Sequence, residues 1–177
     1  NDVQLLVAVI LSAQCTDVRV NKITPALFKK YRSCEDYVRA KPEDLQQDIR
    51  STGFYRNKAR SIQGSWRVIL EKFGGKVPRT MQEMLTLPGV ARKTANVVLG
   101  NCFGLAEGVV VDTHIGRLSQ RMGMSKHTDP VKIERDLMAL FPPESWCMLA
   151  HLMIAHIIFR CRRRCGNTQF NDSVICI

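Results

Sequence analysis

The chain has 177 residues, enough for one ordinary domain or for two small lobes that share a core. Its hydrophobic content of 45% is typical of a globular protein, and its net charge of +10 favours a polyanionic partner, nucleic acid rather than membrane. The sequence contains no apolar run long enough for a transmembrane helix and no visible signal peptide, although it begins with Asn1 and is expected to be a fragment.

Helical periodicity dominates the first part of the chain. One apolar helix ends near Ser12, and Thr16 or Asp17 can cap the next. Ser33 can cap a short third helix, and a long helix is closed by Gly74-Gly75. The apolar faces of the first, second and long helices consist of Leu5, Leu6, Val9, Ile10 and Ala13; of Val20, Ile23, Leu27 and Tyr31; and of Ala59, Ile62, Trp66, Ile69, Leu70 and Phe73.

The next two helices flank a tight turn. Thr80 is a suitable N-cap for a short apolar helix, and Pro88-Gly89 marks the turn after it. In the helix that follows, Lys93 and Asn96 are expected to lie off the apolar face. The apolar positions are Met81, Met84 and Leu85 before the turn and Ala95, Val98, Leu99, Cys102 and Phe103 after it.

Helices are also predicted in the last part of the chain. Asp129-Pro130 is a good start for a helix that buries Ile133, Leu137, Leu140 and Phe141. Trp146 to Phe159 is apolar nearly all round, which predicts a central helix. Since Val109 to Val111 is the only β-branched run and is short, the sequence predicts an all-α fold.

The turn before Lys93 suits phosphate binding. Gly89 lets the backbone approach a ligand closely, and a helix N-terminus presents free N–H groups and partial positive charge. That charge, together with Arg92, favours the neutral amine of Lys93, which is a nucleophile, whereas a nearby carboxylate would act in the opposite direction. The alternative is an ordinary solvated lysine at the start of a helix.

Two segments carry a family resemblance. The run Leu87-Pro88-Gly89-Val90-Ala91-Arg92-Lys93-Thr94-Ala95-Asn96, followed by Val111-Asp112-Thr113-His114, resembles the helix–hairpin–helix and Asp loop of the endonuclease III family of DNA glycosylases. Ser12-Ala13-Gln14-Cys15-Thr16-Asp17 resembles the first signature of that family. The resemblance implies two helical lobes with a DNA groove between them: residues 1–104 as a helical barrel with the hairpin motif at about 80–103, and residues 105–177 as the Asp loop, a C-terminal helical lobe and a cysteine-containing tail.

The same resemblance implies an activity. It is base excision repair by a DNA glycosylase with AP lyase activity, which removes oxidised pyrimidines and cleaves abasic sites by β-elimination. Lys93 corresponds to the Schiff-base nucleophile and Asp112 to the second catalytic residue, although Asp112 is also a suitable helix N-cap. We expect a monomer that binds double-stranded DNA with damaged bases or abasic sites inside the cell, in a bacterial cytoplasm or nucleoid, with no cofactor needed for the chemistry.

Further residues are candidates for DNA contact. Gly89, Ala91 and Arg92 would hold a backbone phosphate, and Gln14 resembles the glutamine that fills the gap left by a flipped nucleotide. Phe54 or Tyr55 could wedge into the base stack, the alternative being a packed core aromatic. The other candidates, which orient Asp112 or contact phosphate, are His114, Arg117, Lys58, Arg60 and Lys126.

The cysteines leave the metal content open. Cys15, Cys34, Cys102 and Cys147 occur singly in helical segments, which predicts reduced thiols, mostly in the core. Many members of the family hold a [4Fe-4S] cluster with four cysteines near the C-terminus, whereas this chain has Cys161, Cys165 and Cys176 at a different spacing. The candidates for a missing fourth ligand are Cys147 and His156, zinc is the other possible metal, and without a cluster Arg160, Arg162, Arg163 and Arg164 would form a basic patch for DNA.

Three other functions compete with this interpretation. A monofunctional adenine glycosylase of the same superfamily would keep the aspartate but lack the hairpin lysine, so Lys93 argues against it. A non-enzymatic helix–hairpin–helix DNA-binding module has no need of Asp112 after the hairpin. A helix-turn-helix regulator would need several polar base-reading side chains on its recognition helix, and here that helix offers mainly Lys93, Asn96 and Asn101.

Overall fold

A computed structural model describes the backbone of residues 1–105 and 107–165, and the side chains of those residues up to His156. Over these ranges the protein consists of helices, turns and loops without a strand, which confirms the all-α prediction. None of the described helices is both long and apolar enough to cross a membrane. The helices are α1 Asp2–Ser12, α2 Asp17–Lys30, α3 Cys34–Arg39, α4 Pro42–Asp48, α5 Tyr55–Phe73, α6 Met81–Met84, α7 Arg92–Phe103, α8 Thr113–Arg121, α9 Pro130–Leu140 and α10 Trp146–Cys165, with 3-10 turns at Arg50–Thr52 and Pro143–Ser145.

The chain forms two compact units, Asn1–Val98 and a second that begins at Leu99, so that the boundary lies within α7. The division into domains at residue 104 stays a prediction. In the first unit α5 is the longest helix and packs against α1, α3 and α4. Its buried side chains include Ala59, Ile62, Trp66 and Ile69, as the periodicity predicts.

The starts of several helices follow from local side chains. Ser33 and Asp36 form a reciprocal capping box at α3, and the Thr80 hydroxyl accepts a hydrogen bond of 3.3 Å from the Glu83 amide at α6. Asp129 accepts one of 3.0 Å from the Lys132 amide at α9. These contacts confirm the N-caps predicted at Ser33, Thr80 and Asp129. Thr16 occupies the N-cap position of α2, but its side chain makes no capping hydrogen bond, and Asp17 is the first residue of that helix.

The second unit has its own apolar core. Side chains from α8, α9 and α10 meet there together with Val109 from the loop before α8. The buried members are Val109, Ile115, Ile133, Leu137, Leu149, Ala150 and Met153.

Ala13 is exposed, contrary to expectation, because α1 ends at Ser12 and Ala13 is its C-cap. Four further expectations about burial are wrong. Leu85 is exposed because α6 ends at Met84 and Leu85 is its C-cap. Leu140, the last residue of α9, is also exposed, since helical spacing gives a direction but not the extent of the facing core. Met148 and Leu152, one turn apart, are exposed on α10, so this part of α10 is not buried all round.

The fourth is Asn96, which is only 4% exposed. On α7 the buried residues Ala95, Asn96, Val98 and Leu99 span about 160° of the helix circumference, a wider face than the apolar residues alone indicate. Lys93 lies outside this face and is exposed.

Candidate active site

The turn that precedes Lys93 has a fixed backbone. Gly89 has φ +76°, a conformation that side chains rarely tolerate. The Val90 amide donates a hydrogen bond of 3.1 Å to the Leu87 carbonyl, and both of these side chains are buried. Lys93 follows as the second residue of α7, with its side chain exposed. The structure therefore presents the amine from the first turn of a helix that begins on a rigid turn.

Helix α5 contacts this turn through three of its residues. The Ser65 hydroxyl donates a hydrogen bond of 2.8 Å to the Pro88 carbonyl. A Cβ atom on Gly89 would lie 2.4 Å from Oγ of Ser61, and a Cβ atom on Gly64 would lie 3.2 Å from Cγ of Pro88. A side chain at position 89 would collide with Ser61, so the turn lies this close to α5 because residue 89 is glycine.

Asp112 is the N-cap of α8, in the second unit. Its Oδ1 accepts hydrogen bonds from the amides of His114, at 2.9 Å, and Ile115, at 2.8 Å. Among the described residues, no group donates a hydrogen bond to Oδ2. Oδ1 thus fixes the start of α8. On α8, the side chain of His114 is half-buried and that of Arg117 is exposed.

Asp17 is a carboxylate near Lys93 that the sequence analysis treated only as a capping residue. It is the first residue of α2 and is half-buried. Burial raises the pKa of Asp17, and the positive charge of Lys93 offsets part of this rise. The two charges are therefore close enough to interact. The signal in the sequence was the position of Asp17 at the end of the first family signature.

Gln14 and Phe54 share an unusual backbone conformation. Their φ angles are +52° and +47°, and they are the two non-glycine residues with positive φ in the part of the chain that the structure describes. Both side chains are exposed, Phe54 by 64%, so the alternative of a core aromatic is wrong for Phe54. Tyr55 is half-buried at the start of α5, 5.7 Å from the Arg56 guanidinium.

Lys58 does not lie on the surface as a phosphate contact would. It is 5% exposed, and its Nζ donates hydrogen bonds to the carbonyls of Leu11, at 2.7 Å, and Thr52, at 2.9 Å. That expectation is therefore wrong. Arg60 and Lys126, by contrast, are exposed and remain candidates for phosphate contact.

Cys147 lies too far along α10 from Cys161 to share a cluster with it. Cys15, Cys34, Cys102 and Cys147 are in no disulfide, and of these only Cys34 is buried, so the prediction that they lie mostly in the core is wrong. Cys147 and Cys161 both belong to α10, and fourteen residues of helix at about 1.5 Å each separate them by about 21 Å, too far for ligands of one cluster. Within the described residues no group of three His, Cys, Asp or Glu side chains is arranged for a metal.

Cys176 lies outside the described residues. The tail supplies three cysteines, whereas a [4Fe-4S] cluster takes four thiolates. The spacing along α10 excludes Cys147 as the fourth ligand, and a cluster stays a prediction; no step below involves one. Zinc stays a prediction, as does His156, an exposed residue of α10, as a ligand.

Comparison with known proteins identifies the family of this chain. A family model described as HhH-GPD superfamily base excision DNA repair protein matches residues 7–143. Endonuclease III of Synechocystis sp. is 56% identical over 170 residues, which cover 94% of this chain and 78% of that protein. The chain belongs to the endonuclease III family of base excision DNA repair proteins. Endonuclease III of Bacillus subtilis is 47% identical, over 92% of this chain and 74% of that protein.

Solved structures agree with this membership in the endonuclease III family. A trapped endonuclease III–DNA covalent intermediate has 45% sequence identity and a TM-score of 0.84, over 97% of this chain and 78% of that one. A thermostable thymine-DNA glycosylase, at 22% identity and a TM-score of 0.75, shares the fold. The chain is therefore a base excision repair enzyme, a DNA glycosylase with AP lyase activity, as the sequence predicts.

Proposed function

We propose that this enzyme removes oxidised pyrimidines from double-stranded DNA and cleaves abasic sites, with Lys93 as the nucleophile and Asp112 as the second catalytic residue. The observation that carries the proposal is the exposed amine of Lys93 in the first turn of α7, on a turn that α5 holds rigidly. The relative trapped as a covalent intermediate with DNA supports a covalent mechanism.

The reaction begins when the Nζ lone pair of Lys93 attacks C1′ of the damaged nucleotide. The C1′–N bond to the base breaks, and its electron pair leaves with the base, which takes up a proton. After a proton leaves the nitrogen, its lone pair forms the C1′=N bond, the C1′–O4′ bond breaks, and O4′ takes up a proton as a hydroxyl, which leaves a protonated imine between Lys93 and C1′. The imine acidifies C2′; loss of a proton there expels the 3′ phosphate, and water releases the enzyme.

Asp112 acts on the sugar through Oδ2. Positive charge develops at C1′ as the base departs, and a carboxylate placed beside it stabilises that charge. The same oxygen can accept and return protons during imine formation. Because Oδ1 accepts hydrogen bonds from the amides of His114 and Ile115, the carboxylate keeps its orientation during the reaction.

The DNA contacts are proposed from the same residues. The amides of Gly89 and Ala91 hold a backbone phosphate, with Arg92, His114 and Arg117 as further contacts, and none of these reads sequence. Gln14 fills the gap that the flipped nucleotide leaves, and Phe54 wedges beside it. We expect a monomer that acts on DNA inside the cell, in a bacterial cytoplasm or nucleoid.

A substrate panel tests the proposal. Duplexes that contain thymine glycol, 5-hydroxycytosine, an abasic site, or adenine opposite 8-oxoguanine are incubated with the enzyme, and base release and strand cleavage are measured separately. The proposal predicts base release from the two oxidised pyrimidines and cleavage at the abasic site. Release of adenine without cleavage would instead indicate a monofunctional adenine glycosylase, and binding without either reaction would indicate a DNA-binding module.

A further inference from the structure

The loops that carry Gln14 and Phe54 are strained at the same kind of position. A non-glycine residue with positive φ persists only where the surrounding structure enforces it. The turn around Gln14 is closed by the Cys15 amide, which donates a hydrogen bond of 3.0 Å to the Ser12 carbonyl. Phe54 directly precedes α5, and its carbonyl accepts a hydrogen bond of 3.0 Å from the Lys58 amide. Two distant parts of the sequence thus present exposed side chains from enforced conformations.

One side chain joins the two loops. Lys58 reaches back from the first turn of α5, and its Nζ donates to the Leu11 carbonyl at 2.7 Å and to the Thr52 carbonyl at 2.9 Å. Leu11 lies three residues before Gln14, and Thr52 lies two residues before Phe54. The ammonium group therefore bridges the backbones that lead into both exposed residues.

Lys58 is an unusual choice for a purely structural position. Lysine is rarely buried, and a buried ammonium must find hydrogen-bond acceptors to offset the loss of water. Burial lowers the pKa of Lys58, which shows that the position costs the charged form solvation. The two carbonyls that meet this need lie near the end of α1 and at the end of the 3-10 turn, directly before the two loops, so the charge holds the starts of both loops together.

We propose that Lys58 is a positioning residue that fixes the Gln14 loop and the Phe54 loop relative to each other, so that both side chains enter the DNA stack together when a nucleotide is flipped. The inference rests on the proposed function, in which Gln14 and Phe54 act on the DNA stack. Lys58 itself contacts neither the substrate nor Lys93; it acts through the two loops.

The proposal separates nucleotide flipping from imine chemistry. An abasic site in duplex DNA must be extruded before Lys93 can reach it, whereas an abasic site in a single strand needs no extrusion. A loss of loop alignment should therefore slow cleavage of the duplex and spare the single strand. The ratio of the two single-turnover rates isolates the contribution of Lys58.

The test compares Lys58→Met with a matched control, Gln63→Met. Gln63 lies on the same helix and is buried, and its Nε2 donates to the carbonyls of Tyr37, at 3.0 Å, and Ala40, at 2.9 Å, away from both loops. We expect Lys58→Met to lower the duplex to single-strand rate ratio by about tenfold or more, since misplacement by 1 Å can cost on the order of 10²-fold. Gln63→Met should leave the ratio within about twofold because Lys58 still donates its two hydrogen bonds.

A cycle with the loop residues completes the experiment. In a chain that already carries Gln14→Ala and Phe54→Ala, Lys58→Met should not lower the ratio further, because there is nothing left to align. An unchanged ratio in Lys58→Met, or a full additional loss in the triple variant, overturns the proposal. Failure of the parent enzyme to cleave either substrate would overturn the proposed function instead. If circular dichroism shows that Lys58→Met does not fold, Lys58→Arg, whose longer side chain displaces the carbonyls, must show the same drop.

Discussion

The hydroxyl of Ser65 donates a hydrogen bond of 2.8 Å to the carbonyl of Pro88, and this contact ties the turn before Lys93 to the middle of α5. Ser65 is fully buried, so its removal leaves that carbonyl without its partner. Ser65→Ala should lower the free energy of unfolding by about 1–3 kcal/mol, measured by urea denaturation, and should also slow cleavage at abasic sites.

Ser119→Ala is the control for this change. Ser119 is equally buried, and its hydroxyl donates a hydrogen bond of 2.8 Å to the Ile115 carbonyl within α8. It should lose stability without a comparable loss of cleavage, because the turn keeps its support. Equal effects of the two variants on cleavage would mean that the contact between Ser65 and Pro88 does not serve the site.

Gly89→Ala should disable the turn. The new side chain would strain a residue at φ +76° and meet Ser61 at 2.4 Å. Gly74→Ala introduces similar strain, at φ +59°, but meets no atom within 4 Å. Both variants should lose about 1–3 kcal/mol of stability from strain, measured by thermal unfolding. Only Gly89→Ala should also weaken binding to duplex DNA, and equal affinities of the two variants would count against a phosphate site at the turn.

Asp112→Asn separates the two roles of this residue. Asparagine caps helices about as well as aspartate, so we expect little change in stability. The single-turnover rate of base release should nevertheless fall on the order of 10²–10⁴-fold, because the charge and the proton acceptor are gone. Asp129→Asn changes the N-cap of α9 in the same way and should leave the rate unaltered. A small loss of this rate in Asp112→Asn would mean that Asp112 serves only as the N-cap of α8.

Asp17→Asn should show a defined pH dependence of stability. Burial raises the pKa of Asp17 above its ordinary value of 3.8, so the folded state binds this proton more tightly than the unfolded chain does. The parent therefore loses stability relative to Asp17→Asn as pH rises above 3.8, until the raised pKa is passed. Urea denaturation from about pH 3 to about pH 7 measures this difference.

Asp36→Asn provides the opposite sign. Hydrogen bonds from the amides of Arg32 and Ser33 lower the pKa of Asp36, so its carboxylate stabilises the folded state above the ordinary pKa, and this contribution is lost as pH falls through the lowered one. The parent should therefore gain stability over Asp36→Asn as pH rises. If the stability difference from the parent changed with pH in the same way for Asp17→Asn and Asp36→Asn, the opposite pKa shifts assigned to these residues would be contradicted.

Features that depend on neighbours in sequence were predictable. The N-caps Ser33, Thr80, Asp112 and Asp129 hydrogen-bond amides two or three residues ahead, so a short stretch of sequence contains the whole interaction. The hairpin with Lys93 was found for the same reason, because its turn residues and the helix that follows are contiguous.

Features that depend on distant partners were not. A lysine in a basic chain gives no sign that two carbonyls from distant segments will accept its hydrogen bonds, and Lys58 was therefore assigned to the surface. The positive φ of Gln14 and Phe54 was also not predictable from sequence, since neither residue is a glycine. Asp17 acquires its interaction with Lys93 only when α2 and α7 fold into the same unit.

The most direct test of the account is borohydride trapping on duplex DNA with a single abasic site, followed by mass spectrometry of the adduct. The account predicts a covalent protein–DNA band whose modified residue is Lys93, and no band with Lys93→Gln although this variant still binds the duplex. A band that persists in Lys93→Gln, or an adduct on another lysine, would contradict the assignment of Lys93 as the nucleophile.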